Sequence, residues 1–306
     1  MEAGDAVYPA RFRYEAPRSL EEAIGLLHQG GGEAKVLAGG QSLVPLLKLR
    51  FATPELLVDI NNLTDLAFHR IESDGTIRIG ALCRHADLER AREIAARQPT
   101  MAAAAPLIAD PVVRSRGTLV GSLCHADPQG DWAAVATALG GRVVAQGVHG
   151  RREIAVTDFV TGPFQNILAY DEVAVEAVMP APMPGAVVTG GFLKLERRVG
   201  DFATAGAAVC VELVGDRVAR AGIALTGVGS RTLHAAEAEA ALVGGVLDER
   251  AIEYAADLAA QVAEPSSDHR GSADYKRHVV RTFVIRILTR IAQRPDCPEA
   301  PERSAA

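Results

Sequence analysis

Two glycine-bearing turns carry the residues best suited to grip a charged ligand. The first is Leu37-Ala38-Gly39-Gly40-Gln41-Ser42-Leu43, where an extended run from Lys35 to Ala38 passes into a helix start. Glycine permits positive φ and lets an anion come close to the backbone. The free N–H groups and positive dipole end of a following helix then suit a phosphate. The second turn is Arg116-Gly117-Thr118-Leu119-Val120-Gly121-Ser122, continuing through Cys124, His125, Asp127 and Pro128 to Asp131. Thr118 and Ser122 offer hydroxyls, Gly121 offers backbone access, and Asp127 and Asp131 can accept hydrogen bonds from sugar hydroxyls. A lone Gly-Gly is more often a plain strand–helix turn. Two such loops in one chain strengthen the case for a dinucleotide, because a pyrophosphate needs donors on more than one side. Neither loop is a P-loop or a G-x-G-x-x-G fingerprint. His125 reads either as a polar contact to the ligand or as a histidine satisfied within a tight loop.

The elements around these turns follow from pattern. Ser19 and Glu22 form a capping box opening a helix with Ala23, Ile24 and Leu27 inward, closed by Gly30-Gly31-Gly32. Ser42 is placed to cap a second helix through Leu49. Residues 56–60 and 76–80 read as strands, Asp87 starts a helix ending before Pro99, and Asp131 is placed to cap a helix up to Leu139. Pro180 to Gly185 is the clearest boundary. Beyond it, strand-like runs lie around 187–195, 204–213 and 218–225. Helical patterns follow at 233–242, 248–262 and 272–291, the last with Val279, Phe283, Ile287 and Ile291 on one stripe. Strands followed by helices indicate an α+β C-terminal domain. The expected division is 1–62, 63–184, 185–295 and a polar, mobile tail at 296–306.

The 306 residues are 48% hydrophobic and 23% charged, the balance of a globular protein with room for a sizeable core. The net charge of −6 gives no basic footprint for nucleic acid. No apolar run approaches a membrane span, and the N-terminal residues carry neither a basic n-region nor an apolar h-region, so a cytoplasmic location is expected. Cys83, Cys124, Cys210 and Cys297 are far apart and form no C-x-x-C pair. They read as small buried hydrophobes rather than as ligands of a metal or an iron–sulfur cluster. His28, His85 and His278 read as helix or loop surface residues, and no set of residues has metal-ligand spacing.

The turns also resemble a known family. Ala38-Gly39-Gly40-Gln41-Ser42-Leu43 resembles the first FAD motif of the medium subunits of carbon monoxide dehydrogenase-type molybdenum hydroxylases. Residues 109–122 (ADPVVRSRGTLVGS) resemble the second, and the likeness continues through His125-Ala126-Asp127-Pro128 to Asp131. Residues 194–206 (KLERRVGDFATAG) look like the family's opening of the C-terminal domain. The resemblance implies two small FAD-binding subdomains of the vanillyl-alcohol-oxidase type followed by a small α+β domain, with non-covalent FAD. It further implies a large molybdopterin subunit and a small subunit carrying 2Fe-2S clusters as partners, in a dimer of heterotrimers, with electrons leaving through FAD to an external acceptor. Peripheral membrane association of such a complex stays open.

Carried over position by position, the backbone from Leu37 to Leu43 holds the pyrophosphate. Ile108, Gly117, Thr118, Gly121, Ser122, Cys124, His125, Asp127 and Asp131 line the second side. Lys194 resembles a lysine that reaches the flavin and tunes it; its plain alternative is a surface lysine on a strand. Three departures stand out. Val120 replaces the first glycine of a Gly-Gly pair, Phe192 replaces a frequent tyrosine, and Gln41 replaces a frequent histidine. Glutamine has no imidazole nucleophile, so covalent flavin attachment at position 41 is chemically excluded. Two other functions stay open on the residues alone: a self-sufficient flavin oxidase, and a relative of the fold that binds no flavin. The substrate and the acceptor of the complete enzyme are not legible in this chain.

Overall fold

A computed structural model describes residues 8–293; the tail at 296–306 and Cys297 lie outside the described residues. The N-terminal part is a three-stranded parallel sheet in the order Arg13–Glu15, Leu56–Asp59, Ala34–Leu37. The helix Leu20–Gly30 covers it, N-capped by the Ser19 hydroxyl and ended by Gly31 in the left-handed conformation. Register pairs Leu37 with Asp59. The first glycine turn and the Ile60–Asn62 turn therefore leave the sheet side by side at its carboxyl edge, where open α/β sheets place ligands.

The second unit is an antiparallel five-stranded sheet in the order His69–Ile71, Ile77–Gly80, Val173–Met179, Arg142–Gly147, Gly150–Ala155. Its central strand, Val173–Met179, is buried at every position. The helices Leu119–His125 and Asp131–Ala138 pack in the same core. The helix expected from Asp87 starts earlier and is broken: His85–Arg90, then Arg92–Arg97, separated at Ala91. Asp87 closes its first turn by accepting from the Arg84 backbone N–H.

The C-terminal unit is an antiparallel sheet of Val187–Leu195, Ala205–Val214, Arg217–Thr226 and the short Leu233–His234. The helical pattern expected from 233 begins only at Ala236, because Leu233 and His234 pair with Leu225 and Ala224. Helices Ala236–Leu242, Glu249–Gln261 and Ala273–Gln293 cover one face. The two-residue period of a strand decides which core each residue joins. Ala205, Ala207, Val209 and Val211 pack under these helices. Ala208, Cys210 and Phe192 pack against the FAD-binding half expected from the sequence. The sheet is buried on both faces, which is why Ala205–Val214 reads as a continuous apolar run. Thr100 Oγ1 donates to Val209 O (2.8 Å) across this contact. Among the described residues no helix is long and apolar enough to cross a membrane.

Candidate functional site

The two glycine turns are in backbone contact. A Cβ built on Gly39 would lie 2.3 Å from Arg116 O and 2.9 Å from Gly117 Cα, so only glycine lets them meet. Gly40 follows at φ 76°, a conformation that favours glycine. The helix Leu43–Lys48 starts next. Ser42 does not cap it: the hydroxyl makes no cap bond, because residue 42 sits in a right-handed helical conformation (φ −102°, ψ −46°) rather than an extended one. Among the described residues, the amides of Gly40, Gln41, Ser42 and Leu43 donate to no protein acceptor. Gln41 is exposed, and its Nε2 reaches only Gly39 O, at 3.5 Å.

On the other side of the seam, Thr118 is the N-cap of Leu119–His125, accepting from the Gly121 amide (3.1 Å). Its hydroxyl oxygen is thus occupied as a cap; the Leu119 amide is engaged in the antiparallel bridge that pairs Arg84 with Thr118, and the Val120 amide has no protein acceptor among the described residues. Val120, the departure from glycine, turns its side chain into the core. Ser122 and Cys124 are half-buried, and Cys124 O accepts from Asn166 Nδ2 (2.7 Å). Burial pushes the thiols of Cys83, Cys124 and Cys210 up to about 12, so all three stay protonated and serve as packing groups. His125 is half-buried against Phe164 (5.1 Å between ring centres), with Asp127 Oδ2 3.9 Å from its Nε2. Burial lowers its pKa, only partly opposed by Asp127. Asp127 Oδ1 accepts from the Gln129 amide (2.8 Å) and so shapes its own loop.

The approach to the second turn is fixed by Arg114. Its guanidinium donates to Ile108 O (3.1 Å) and Ala109 O (2.7 Å) and pairs with Glu89. Asp110 N-caps the short Pro111–Arg114 helix. These bonds hold Ile108 and the strained Ala109 (φ 51°) beside the site.

Asp131 and Lys194 meet. Asp131 is the first residue of its helix rather than the cap, a position Gly130 takes, and its Oδ2 lies 2.9 Å from Lys194 Nζ. Lys194 is not a surface residue: it is buried, and its ammonium also donates to Leu107 O (2.7 Å) and Asp201 O (3.0 Å). Its three protons are therefore committed to protein acceptors. Glu196 Oε2 is 3.1 Å away but poorly aligned to accept. Asp131 Oδ1 is buried with no protein partner, an orphaned acceptor with capacity for a further donor. Burial raises the Asp131 pKa to about 6, with Lys194 pulling the other way.

Three supporting residues escaped the sequence reading. His85 is buried, not on the surface: its Nδ1 accepts from Trp132 Nε1 (2.9 Å), and its ring lies against Gly117. Burial holds it neutral, with a pKa lowered to about 4. Arg84 donates to Arg116 O (2.7 Å) and Asn61 Oδ1 (2.6 Å), and Asn61 Nδ2 donates to Ala38 O (2.8 Å). No local sequence signal marks these residues, because each works across more than twenty positions of chain. Phe192, the departure from tyrosine, is fully buried in the core, where a hydroxyl would need a partner. Among the described residues no cluster of three His, Cys, Asp or Glu could hold a metal ion.

Comparison with known proteins places this arrangement. Residues 10–182 match the model of the FAD binding domain in molybdopterin dehydrogenase, and residues 191–291 match the CO dehydrogenase flavoprotein C-terminal domain. The chain is 42% identical to the carbon monoxide dehydrogenase medium chain of Hydrogenophaga pseudoflava, over 92% of this chain and 96% of that one. It is 40% identical to the 6-hydroxypseudooxynicotine dehydrogenase complex subunit alpha of Paenarthrobacter nicotinovorans, over 94% and 96%. A solved structure of the Hydrogenophaga pseudoflava carbon monoxide dehydrogenase superposes with a TM-score of 0.88 at 43% identity, covering 94% of this chain and 99% of that one. With both halves matched and the geometry of the two turns in place, the chain belongs to the family of FAD-binding flavoprotein subunits of the molybdopterin dehydrogenases.

Proposed function

We propose that this chain is the medium subunit of a molybdenum hydroxylase, binding FAD non-covalently and passing electrons from the 2Fe-2S clusters of a small partner subunit to an external acceptor. A large molybdopterin subunit completes a heterotrimer, paired into a dimer of heterotrimers in the cytoplasm. The observation that carries this reading is the seam between Gly39 and Gly117, flanked on both sides by amides without protein acceptors. The amides of residues 40–43 and of Val120 would grip the pyrophosphate, with the Ser42 hydroxyl beside them. Asp131 Oδ1 would accept from a cofactor hydroxyl and so satisfy its buried oxygen. Lys194 would act through Asp131, by holding that carboxylate in place and lending its positive field, rather than by a direct bond to the flavin. Bound FAD supplies the one- and two-electron redox chemistry; the protein orients it and sets the surrounding charge.

Relatives of 42% and 40% identity carry the names of two different dehydrogenases, so similarity in the medium chain does not follow substrate. The test is purification from the native host. Three co-eluting chains are expected, with yellow protein that releases all its FAD into the supernatant on acid precipitation. A colourless, strictly monomeric protein would overturn the reading.

A further inference from the structure

The two turns abut at Gly39, but van der Waals contact alone does not fix their lateral register; directional bonds do. One guanidinium and one amide provide them. Arg84 gives one terminal nitrogen to Arg116 O of the second turn and the other to Asn61 Oδ1. Asn61 passes the link on to Ala38 O of the first turn. Asn61 is itself fixed by Asp59, whose Oδ1 accepts from its backbone amide (2.9 Å) and whose Oδ2 accepts from Tyr14 Oη (2.6 Å). Ala38 and Arg116 are thus joined by three hydrogen bonds through side chains of two other elements.

We infer that Arg84, acting through Asn61, is the positioning residue that sets the separation of the two phosphate-binding turns and thereby the affinity for FAD. This rests on the FAD reading above. A pyrophosphate gripped from two sides gains both sets of bonds only when their spacing is held to a fraction of an ångström. The charge distribution agrees. Among the described residues Arg84 makes no carboxylate hydrogen bond; burial first, then the neighbouring Arg116 guanidinium, hold its pKa below the usual arginine value. Arg116 is exposed on the second turn. The Arg116 charge weighs on Arg84, with Asp87 and Asp59 opposing it, and an anion at the seam would relieve that repulsion.

The test uses the full chain and FAD itself, titrated by flavin fluorescence. Arg84→Lys keeps the charge but loses the fork that bonds both partners at once. It is expected to weaken FAD binding about tenfold or more, the loss expected from one hydrogen bond to a charged group. Asn61→Asp keeps an acceptor for Arg84 and removes the donor to Ala38 O, with a similar loss. The double variant is expected to bind no more weakly than the weaker single variant, since both break one linkage. Free guanidinium ion at millimolar concentration is expected to restore part of the affinity of Arg84→Ala and to leave the wild type unchanged. Throughout, the FAD-free variants should melt within a few degrees of the FAD-free wild type. Wild-type affinity in Arg84→Lys, or losses that track a fallen melting temperature of the FAD-free protein, would overturn the inference. A wild-type chain that takes up no FAD at all would overturn the FAD reading and this inference with it.

Discussion

Gly39 has no room for a methyl group, because its missing Cβ points at the Arg116 carbonyl. Gly39→Ala must therefore push the two turns apart. It is expected to cost about 1–3 kcal/mol of stability, in the range for overpacking, and to abolish stoichiometric FAD uptake, read from visible absorbance after gel filtration. This residue was legible in the sequence, since a glycine pair between strand and helix announces a special backbone. His85 was not, because nothing nearby reveals that it accepts from Trp132, 47 positions away. Its burial has a pH consequence. The unfolded chain protonates this imidazole near pH 6.5, while the folded chain resists until about 4. The stability it confers is present above pH 6.5 and is lost as pH falls toward 4, by up to about 3 kcal/mol. Asp131 has the opposite sign. Its folded pKa lies above the ordinary 3.8, so this group favours the fold increasingly as pH falls through about 6. Urea unfolding between pH 4 and 6.5 should show His85→Gln with a shallower acid loss than wild type and Asp131→Asn with a steeper one. Equal slopes in all three proteins would refute both assignments.

Elements were legible where their own pattern sufficed. The Leu20–Gly30 helix follows from its capping box and its glycine stop, and the three long C-terminal strands follow from their apolar runs. Ser42 and Asp131 illustrate the limit: both sit where a cap is expected, yet Ser42 makes no cap bond and Asp131 turns to Lys194. Backbone conformation at Ser42 and a long-range ion pair at Asp131 override local capping there. The strand Arg217–Thr226 shows how tightly elements dock. A Cβ on Gly222 would lie 1.7 Å from Ala138 O, the end of the helix that Asp131 begins. Gly222→Ala must lift the sheet from that helix. A destabilisation above about 3 kcal/mol is expected, within the large-effect class of core overpacking against backbone, measured by chemical denaturation. A change below 1 kcal/mol would mean that the two elements slide apart freely.

At the scale of the molecule, the C-terminal unit is a clamp on the loop that we propose faces the cofactor, as well as a lid on the core. Thr226 Oγ1, fully buried, lies 3.1 Å from Gly130 O and 3.3 Å from Pro128 O. The Gly227 amide donates to Pro128 O (3.0 Å), and Arg270 reaches Gln129 Oε1 (3.4 Å). The loop that delivers Asp131 is thus gripped from a domain more than ninety residues further along the chain. No local sequence rule could have shown this, since Thr226 reads only as the end of a strand. The consequence is measurable. Thr226→Val keeps shape and removes the hydroxyl, leaving the Gly130 carbonyl short of a donor while Pro128 O keeps the Gly227 amide, at about 1–2 kcal/mol. Because FAD binding stabilises the folded chain by RT ln(1 + [L]/Kd), any loosening of this loop must appear twice. The variant is expected to melt lower without FAD and also to gain less from a fixed FAD concentration than the wild type does. If Thr226→Val lowers both melting curves by the same amount, the C-terminal unit stabilises the fold but does not hold the cofactor loop in its binding geometry.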